Sequence, residues 1–231
     1  MIVTPAFTFV HLHKSGGTFV NECLLRFCPD ASMLGYHLPS RLIPAEYAGL
    51  PILGFVRNPW SYYVSWYAFQ SQMAQPNALF RIASENRSLD FSGTLRNLLD
   101  LGSGGDKLDV LLGELPHAYG NKGLNLPNFA LAPIRDSGRG LYSYLFEYMY
   151  SGGAVAPTIG RVENLRADLL GFLEGIEAAL TPQLREFITR AAPRNTSRHA
   201  AYRDYYSDET AALVAERDHP VIEQFGYRFQ A

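Results

Sequence analysis

The chain has 231 residues, of which 47% are hydrophobic and 18% are charged, and its formal net charge at pH 7 is −2. This length and hydrophobic content suffice for one sizeable core, so we expect a single domain over residues 1–231. The nearly neutral charge excludes a nucleic-acid-binding protein that relies on a broad basic surface, and we expect no nucleic-acid partner.

The N-terminal segment has no basic region followed by an apolar run, and no later stretch of 18 residues is apolar. The pattern predicts a cytoplasmic protein without an integral membrane segment, although removal of an N-terminal anchor would leave the same pattern. Cys23 and Cys28 are five positions apart, and their neighbours in sequence are not metal ligands. We expect a core thiol and a helix-end thiol, and no bound metal.

A strand, a loop and a helix are predicted near the N-terminus. The apolar run Thr8–Leu12 is typical of a buried strand, and apolar residues then recur at helical spacing from Thr18 to Phe27. Between them lies Lys14-Ser15-Gly16-Gly17-Thr18. The N–H groups at a helix start favour an anion, glycines allow close backbone approach, and Lys14 supplies a full positive charge. The stretch therefore predicts an anion-binding loop for phosphate or a related group.

A second strand-to-helix junction follows. Pro51–Val56 predicts another buried strand, and Asn58 and Pro59 are typical of a helix N-cap and a first helical residue. Arg57 is expected at the end of this strand, and Ser65 in the helix. A guanidinium fork fits a phosphate group, and a serine hydroxyl adds a neutral donor. Each motif alone is common, but the two occur in order and each lies at such a junction.

The order of these residues separates two classes of phosphate loop. The Walker A pattern requires a lysine after the glycines, whereas Lys14 precedes them, so an ordinary ATP or GTP loop is disfavoured. Lys-Ser-Gly-Gly-Thr after an apolar strand resembles the 5′-phosphosulfate loop of sulfotransferases that use 3′-phosphoadenosine 5′-phosphosulfate (PAPS). An Asn-x-Ser element that begins at Asn195 and a closing Phe-Gly-Tyr element resemble those that close the bacterial and carbohydrate sulfotransferases. Arg57 and Ser65 resemble the Arg-x7-Ser pattern by which that family holds the 3′-phosphate.

The resemblance also implies catalytic groups. A general base is expected from the segment between the two motifs, and His37 stands at that point, where a neutral imidazole takes a hydroxyl proton. A loop histidine bonded to a nearby carbonyl is the structural alternative. His11 and His13 are expected on opposite faces of the strand end, so that one of them approaches the loop, and His13 is the second candidate base. Lys14 is expected to stabilise the departing bridging oxygen.

The remainder of the chain carries weaker signals. Residues 73–140 show little periodicity, and by elimination we expect them to form the acceptor side of the pocket or a lid. The stretch from 158 to 168 resembles a third family signature, although Arg161 and Glu163 are expected to form a structural ion pair. In the family a loop near the C-terminus covers the 3′-phosphate, which makes candidate clamps of Arg194, Asn195 and Arg198. Arginines on a loop are otherwise usually solvated.

The resemblance implies an α/β protein with a three-layer, P-loop-like fold, in which helices flank a central parallel sheet and the ligand lies at the carboxyl ends of the strands. The expected reaction is transfer of the sulfuryl group from PAPS to a hydroxyl or amine acceptor, with a carbohydrate favoured and 3′,5′-ADP as the product. Two other functions stay open: a P-loop nucleotide kinase or phosphotransferase, and a non-catalytic nucleotide-binding module. The sequence does not fix the acceptor or the oligomeric state.

Overall fold

The computed structural model describes residues 1–121, 123–176, 179–192 and 200–229. The chain divides into two compact units. The first contains Met1–Arg57 and the described residues from Tyr148 to 192, and the second contains Asn58–Glu147 and residues 200–229. The prediction of a single domain over residues 1–231, with an acceptor-side insert at about 73–140, stays a prediction.

The described part of the chain contains a five-stranded sheet in the first unit, with the strand order β3-β1-β2-β4-β5. Its strands are β1 (Ile2–Val3), β2 (Thr8–Phe9), β3 (Ser32–Met33), β4 (Ile52–Val56) and β5 (Thr158–Arg161). Strands β2, β4 and β5 are parallel, whereas β1 is antiparallel to both β2 and β3.

The sheet is therefore mixed, and the prediction of a parallel sheet is wrong for its β1 side. Only four residues join β1 to β2, and the N–H of Thr4 donates to the carbonyl of Phe7 across that turn. A parallel connection needs a crossover of about a dozen residues or more, so this short link imposes an antiparallel pair. The coarser expectation, an α/β protein with a central sheet and helices, is confirmed.

The α-helices of the described residues are α1 (Gly17–Phe27), α2 (Pro59–Gln72), α3 (Ala78–Ala83), α4 (Phe91–Asp100), α5 (Asp106–Glu114), α6 (Asn128–Leu131), α7 (Leu141–Tyr150), α8 (Leu165–Glu174), α9 (Pro182–Arg190), α10 (Asp208–Arg217) and α11 (His219–Phe225). Within the described ranges, no helix is long and apolar enough to cross a membrane.

A hydrophobic cluster of the first unit lies on one face of the sheet. Phe9, Leu53 and Phe55 project to this face from β2 and β4, because alternate residues of a strand share a side. Buried residues of α1, α8 and α9 pack against them, among them Cys23 and Leu169. Burying such side chains contributes about 1.5–3 kcal/mol each, so this layer fixes α1 and the loop before it against the sheet.

The second unit is organised around a buried carboxylate. Asp218 lies between α10 and α11 and is fully buried. Its oxygens accept hydrogen bonds from the Tyr63 hydroxyl at 2.7 Å and from the Ser143 N–H at 2.7 Å. The Tyr63 hydroxyl in turn accepts from the N–H of Tyr142 at 3.1 Å. This network joins α2, α7 and the α10–α11 junction.

Several local predictions are confirmed. Helix α1 begins one residue before the predicted start, and α2 begins at Pro59 with the Asn58 side chain accepting from the Ser61 N–H at 3.3 Å. Cys23 is buried, Cys28 is half-buried, and both are free thiols. The predicted strand Thr8–Leu12 is too long, however, because the observed strand ends at Phe9.

Candidate anion-binding site

The predicted loop joins β2 to α1, and Arg57 directly follows β4. Because β2 and β4 are parallel neighbours, their carboxyl ends lie at the same edge of the sheet. The Nη1 of Arg57 donates to the carbonyl of Lys14 at 3.3 Å. The structure therefore brings together the two sequence motifs that each predict an anion contact.

The loop turns tightly into the helix. Lys14 and Gly16 have φ angles of 53° and 75°, and Gly16 is the N-cap of α1. The N–H of Ser15 donates to the carbonyl of Leu12 at 3.4 Å. The Ser15 hydroxyl donates to the carbonyl of His13 at 3.2 Å. The amides of Gly17 and Thr18 come before the first helical hydrogen bond, in which the Phe19 N–H donates to the Gly16 carbonyl at 3.1 Å, so this end of α1 suits a negative group.

Both loop glycines are required by packing as well. A Cβ at Gly17 would overlap the buried ring of His11, and a Cβ at Gly16 would lie 2.5 Å from Leu165 Cδ1. The positive φ of Gly16 also disfavours any side chain. The two glycines are thus explained without a ligand, and evidence for an anion has to come from the charged residues.

That evidence is a pair of cations at this edge of the sheet, Lys14 in the loop before α1 and Arg57 directly after β4. Burial and, second, the positive charge of Arg57 lower the pKa of Lys14 from 10.5 to about 8. Lys14 is half-buried, and so is Arg57. Bringing two like charges together away from water raises the free energy of the charged forms. A bound anion between the two side chains would offset this free-energy cost. The two cations therefore favour binding of an anion at this place.

Three histidines lie beside the loop. His37 has a left-handed φ of 53°, and its Nδ1 is 2.9 Å from the carbonyl oxygen of His11. Its ring stacks on that of His13, with the ring centroids 3.7 Å apart and the planes at 17°, and lies 4.6 Å from the His11 ring. The expectation that His11 and His13 point to opposite faces is wrong, because both rings contact the ring of His37.

The hydrogen bond of His37 decides its tautomer. A carbonyl oxygen can only accept, so Nδ1 carries the proton and Nε2 keeps a lone pair. Burial, followed by the neighbouring His13 and His11, lowers the pKa of His37 well below 6.5. The imidazole is therefore neutral and keeps a lone pair on Nε2, as a general base requires, and the lowered pKa makes it a weaker proton acceptor than an exposed histidine. The described residues contain no group of three His, Cys, Asp or Glu that could hold a metal ion.

The other predicted site residues are placed as follows. Ser65 lies on α2 in the second unit, where it is 2% exposed, and its pairing with Arg57 stays a prediction. Asp168 accepts a hydrogen bond from the N–H of Arg161 at 2.6 Å, which ties β5 to α8. Outside the described residues lie Arg194, Asn195 and Arg198.

Reasoning from the sequence missed the contact between His37 and His11. In the sequence, His37 lies in a turn-rich stretch, which gives no sign of a partner 26 residues earlier in the chain. A signal was present in the His11-x-His13 spacing, since two histidines on one side of an extended segment can stack with a third ring.

No protein-family model matches the chain, and neither a search of curated proteins nor a search of solved structures finds a match. The interpretation of the site therefore rests on its own residues.

Proposed function

We propose that the protein is a PAPS-dependent sulfotransferase with a P-loop-like fold, which transfers a sulfuryl group to a hydroxyl acceptor, with a carbohydrate as the favoured class. The observation that carries this proposal is that two cationic residues, Lys14 and Arg57, lie close together beyond the carboxyl ends of β2 and β4, next to the start of α1. The motif resemblance adds the identity of the donor.

The residues present fit an anionic donor. The 5′-phosphosulfate would lie on Lys14 and on the amides of Gly16, Gly17 and Thr18, because charge-assisted bonds and the helix start both favour negative oxygens. The Ser15 amide, which was also expected to contact it, donates to the Leu12 carbonyl instead. Arg57 and Ser65 would hold the 3′-phosphate, with Arg194, Asn195 and Arg198 as further contacts implied by the resemblance. PAPS supplies the activated sulfuryl group, and the protein supplies its placement.

His37 would accept the proton of the acceptor hydroxyl at Nε2, since Nδ1 is occupied by the His11 carbonyl. His13, stacked on His37, is the second candidate base. Lys14 would stabilise the charge that develops on the departing phosphate. A preorganised donor of this kind contributes about 3–4 kcal/mol to the barrier, so the loss of Lys14 is expected to lower turnover by a factor of roughly 10² to 10³.

Calorimetric titration with 3′,5′-ADP tests the donor site. We expect micromolar binding by the wild-type protein and at least about tenfold weaker binding by R57A. The matched control is R185A, because Arg185 forms an exposed ion pair with Glu174 and lies in the same unit. Absence of 3′,5′-ADP binding by the wild type would refute the proposal, and binding of ATP·Mg²⁺ alone would favour the kinase alternative.

A measurement of sulfuryl transfer distinguishes a sulfotransferase from a non-catalytic nucleotide-binding module. With PAPS and a panel of carbohydrate acceptors, H37N should abolish most activity while its affinity for 3′,5′-ADP stays within about twofold of the wild type. H13N, measured in parallel, identifies which of the two stacked rings takes the proton. A protein that binds 3′,5′-ADP, sulfates no acceptor and is indifferent to both substitutions would be the binding module.

A further inference from the structure

The pairing of β2 with β4 stops after Val10 for a specific reason. The ladder between them pairs Thr8 with Ile52 and Phe9 with Leu53, and its last bond runs from the Val10 N–H to the Leu53 carbonyl at 2.9 Å. In a parallel pair, every second residue of a strand bonds to the same neighbour. The next residue of β4 that faces β2 is therefore Phe55, whose N–H would donate to the Val10 carbonyl if the ladder continued.

The hydroxyl of Tyr150 takes that position. It accepts the Phe55 N–H at 2.9 Å, and it lies 2.9 Å from the Phe55 carbonyl oxygen and 3.4 Å from the Val10 carbonyl oxygen. Both backbone groups of Phe55 that would pair with β2 are thus bonded to a side chain at the end of α7. This explains why β2 is only two residues long although the apolar run continues to Leu12.

The surrounding residues bury this hydroxyl and pack against its ring. Tyr150 is 7% exposed, so the hydroxyl has little access to water as a replacement partner. Its ring lies over Gly54, and a Cβ at that position would overlap the ring. The close approach of the Tyr150 ring therefore explains the glycine in the middle of β4. The same contact fixes the Tyr150 hydroxyl beside the backbone of Phe55.

The consequence lies at the anion-binding loop. Beyond Val10 the chain no longer pairs with β4 and turns through His13 into Lys14, whose carbonyl accepts from Arg57 at 3.3 Å. We propose that Tyr150 is a positioning residue of the anion-binding site: its hydroxyl keeps the chain after Val10 apart from the end of β4 and so sets the place of the Lys14 loop relative to Arg57. The role of this site in binding a nucleotide rests on the proposed function.

The test compares Y150F with Y148F, each measured with 3′,5′-ADP by calorimetry. Tyr148 lies two residues earlier in α7 and is equally buried. The Arg41 guanidinium lies 4.0 Å from the centroid of its ring. Y148F therefore removes a tyrosine hydroxyl from a different place in the same unit. Y150F should bind 3′,5′-ADP at least about tenfold more weakly than the wild type, and Y148F should stay within about twofold. Equal affinity of Y150F and wild type would overturn the inference.

A readout without ligand separates this inference from the proposed function. The pKa of the Lys14 ammonium, followed by NMR, depends on its burial and on its distance from Arg57. In Y150F it should move by about half a unit or more, and in Y148F it should not. If the wild type binds no 3′,5′-ADP, the proposed function fails, and an unchanged Lys14 pKa in Y150F would overturn the positioning role independently.

Thermal unfolding accompanies each measurement, so that loss of folding is not mistaken for loss of positioning. Should Y150F fail to unfold cooperatively, 3-fluorotyrosine at position 150 serves as the second variant, because it keeps the hydroxyl but makes it a weaker acceptor of the Phe55 N–H. It should shift the pKa of Lys14 in a folded protein, and an unchanged pKa would again overturn the inference.

Discussion

Anion binding at the loop should weaken steeply above pH 8. The pKa of Lys14 is lowered to about 8 by burial and by Arg57, and a bound anion would favour the charged form of Lys14. About nine-tenths of the Lys14 side chains are therefore protonated at pH 7, but only about one-tenth at pH 9. If the complex keeps Lys14 charged, its dissociation constant rises about tenfold between these values, and each binding event at pH 9 takes up nearly one proton.

Other groups contribute little in this range. The phosphates of 3′,5′-ADP have lost their protons by pH 7, since their second pKa lies near 6. An arginine does not titrate below about pH 12, and a lysine of ordinary pKa would stay more than about 95% charged at pH 9. A flat affinity profile is thus the result expected of a lysine exposed to water.

The assay is calorimetric titration of 3′,5′-ADP at pH 7, 8 and 9 in two buffers of different ionisation enthalpy, which yields both the affinity and the number of protons taken up. The matched control is K14R, because an arginine at position 14 keeps the positive charge without titrating. K14R should show a nearly constant affinity and no proton uptake. A wild-type profile that is flat, or a K14R profile that falls as steeply as the wild type, would refute the assignment of the cation to Lys14.

Three further predictions concern stability and reactivity. G17A should lower the free energy of unfolding by about 1–3 kcal/mol through its overlap with the His11 ring, whereas G49A, with open space around it, should not; equal melting temperatures would contradict this. Burial raises the pKa of Asp218 from 3.8 to about 6, so the folded state holds the proton more tightly and its advantage is lost as the pH rises. Between about pH 4 and pH 6 the wild type should lose up to about 3 kcal/mol relative to D218N in denaturant unfolding, and parallel curves would argue against it. Burial raises the pKa of Cys23 to about 12, so iodoacetamide should modify it only after unfolding, as checked by mass spectrometry.

The local signals in the sequence predicted helix starts well. Asn58 and Pro59 specify the beginning of α2 through a side-chain cap and a preset φ angle, and both act within one turn. The predicted strand Thr8–Leu12 was too long because its end is decided by the hydroxyl of Tyr150, which is 140 positions away from Val10 in sequence. No pattern within the strand itself carries that information.

The topology and the histidine cluster show the same limit. Strand β1 has only two residues, so it has no periodicity by which the antiparallel hairpin could be foreseen. The start of α1 was predicted to within one residue, but the contact of His37 with His11 joins residues 26 positions apart and depends on how the chain between them folds. Local chemistry predicts elements and caps, whereas long-range packing decides which side chains meet.

The glycines and the cations of the loop carry different weight as evidence for a ligand. Gly16 and Gly17 satisfy the backbone and the packing demands of Leu165 and His11, so a glycine-rich turn at this place would be required even in a protein that binds nothing. Lys14 and Arg57 hold two positive charges near each other in a half-buried place, which costs free energy that neutral side chains would avoid. The loop motif draws attention to the site, and the paired cations are the reason to expect an anion there.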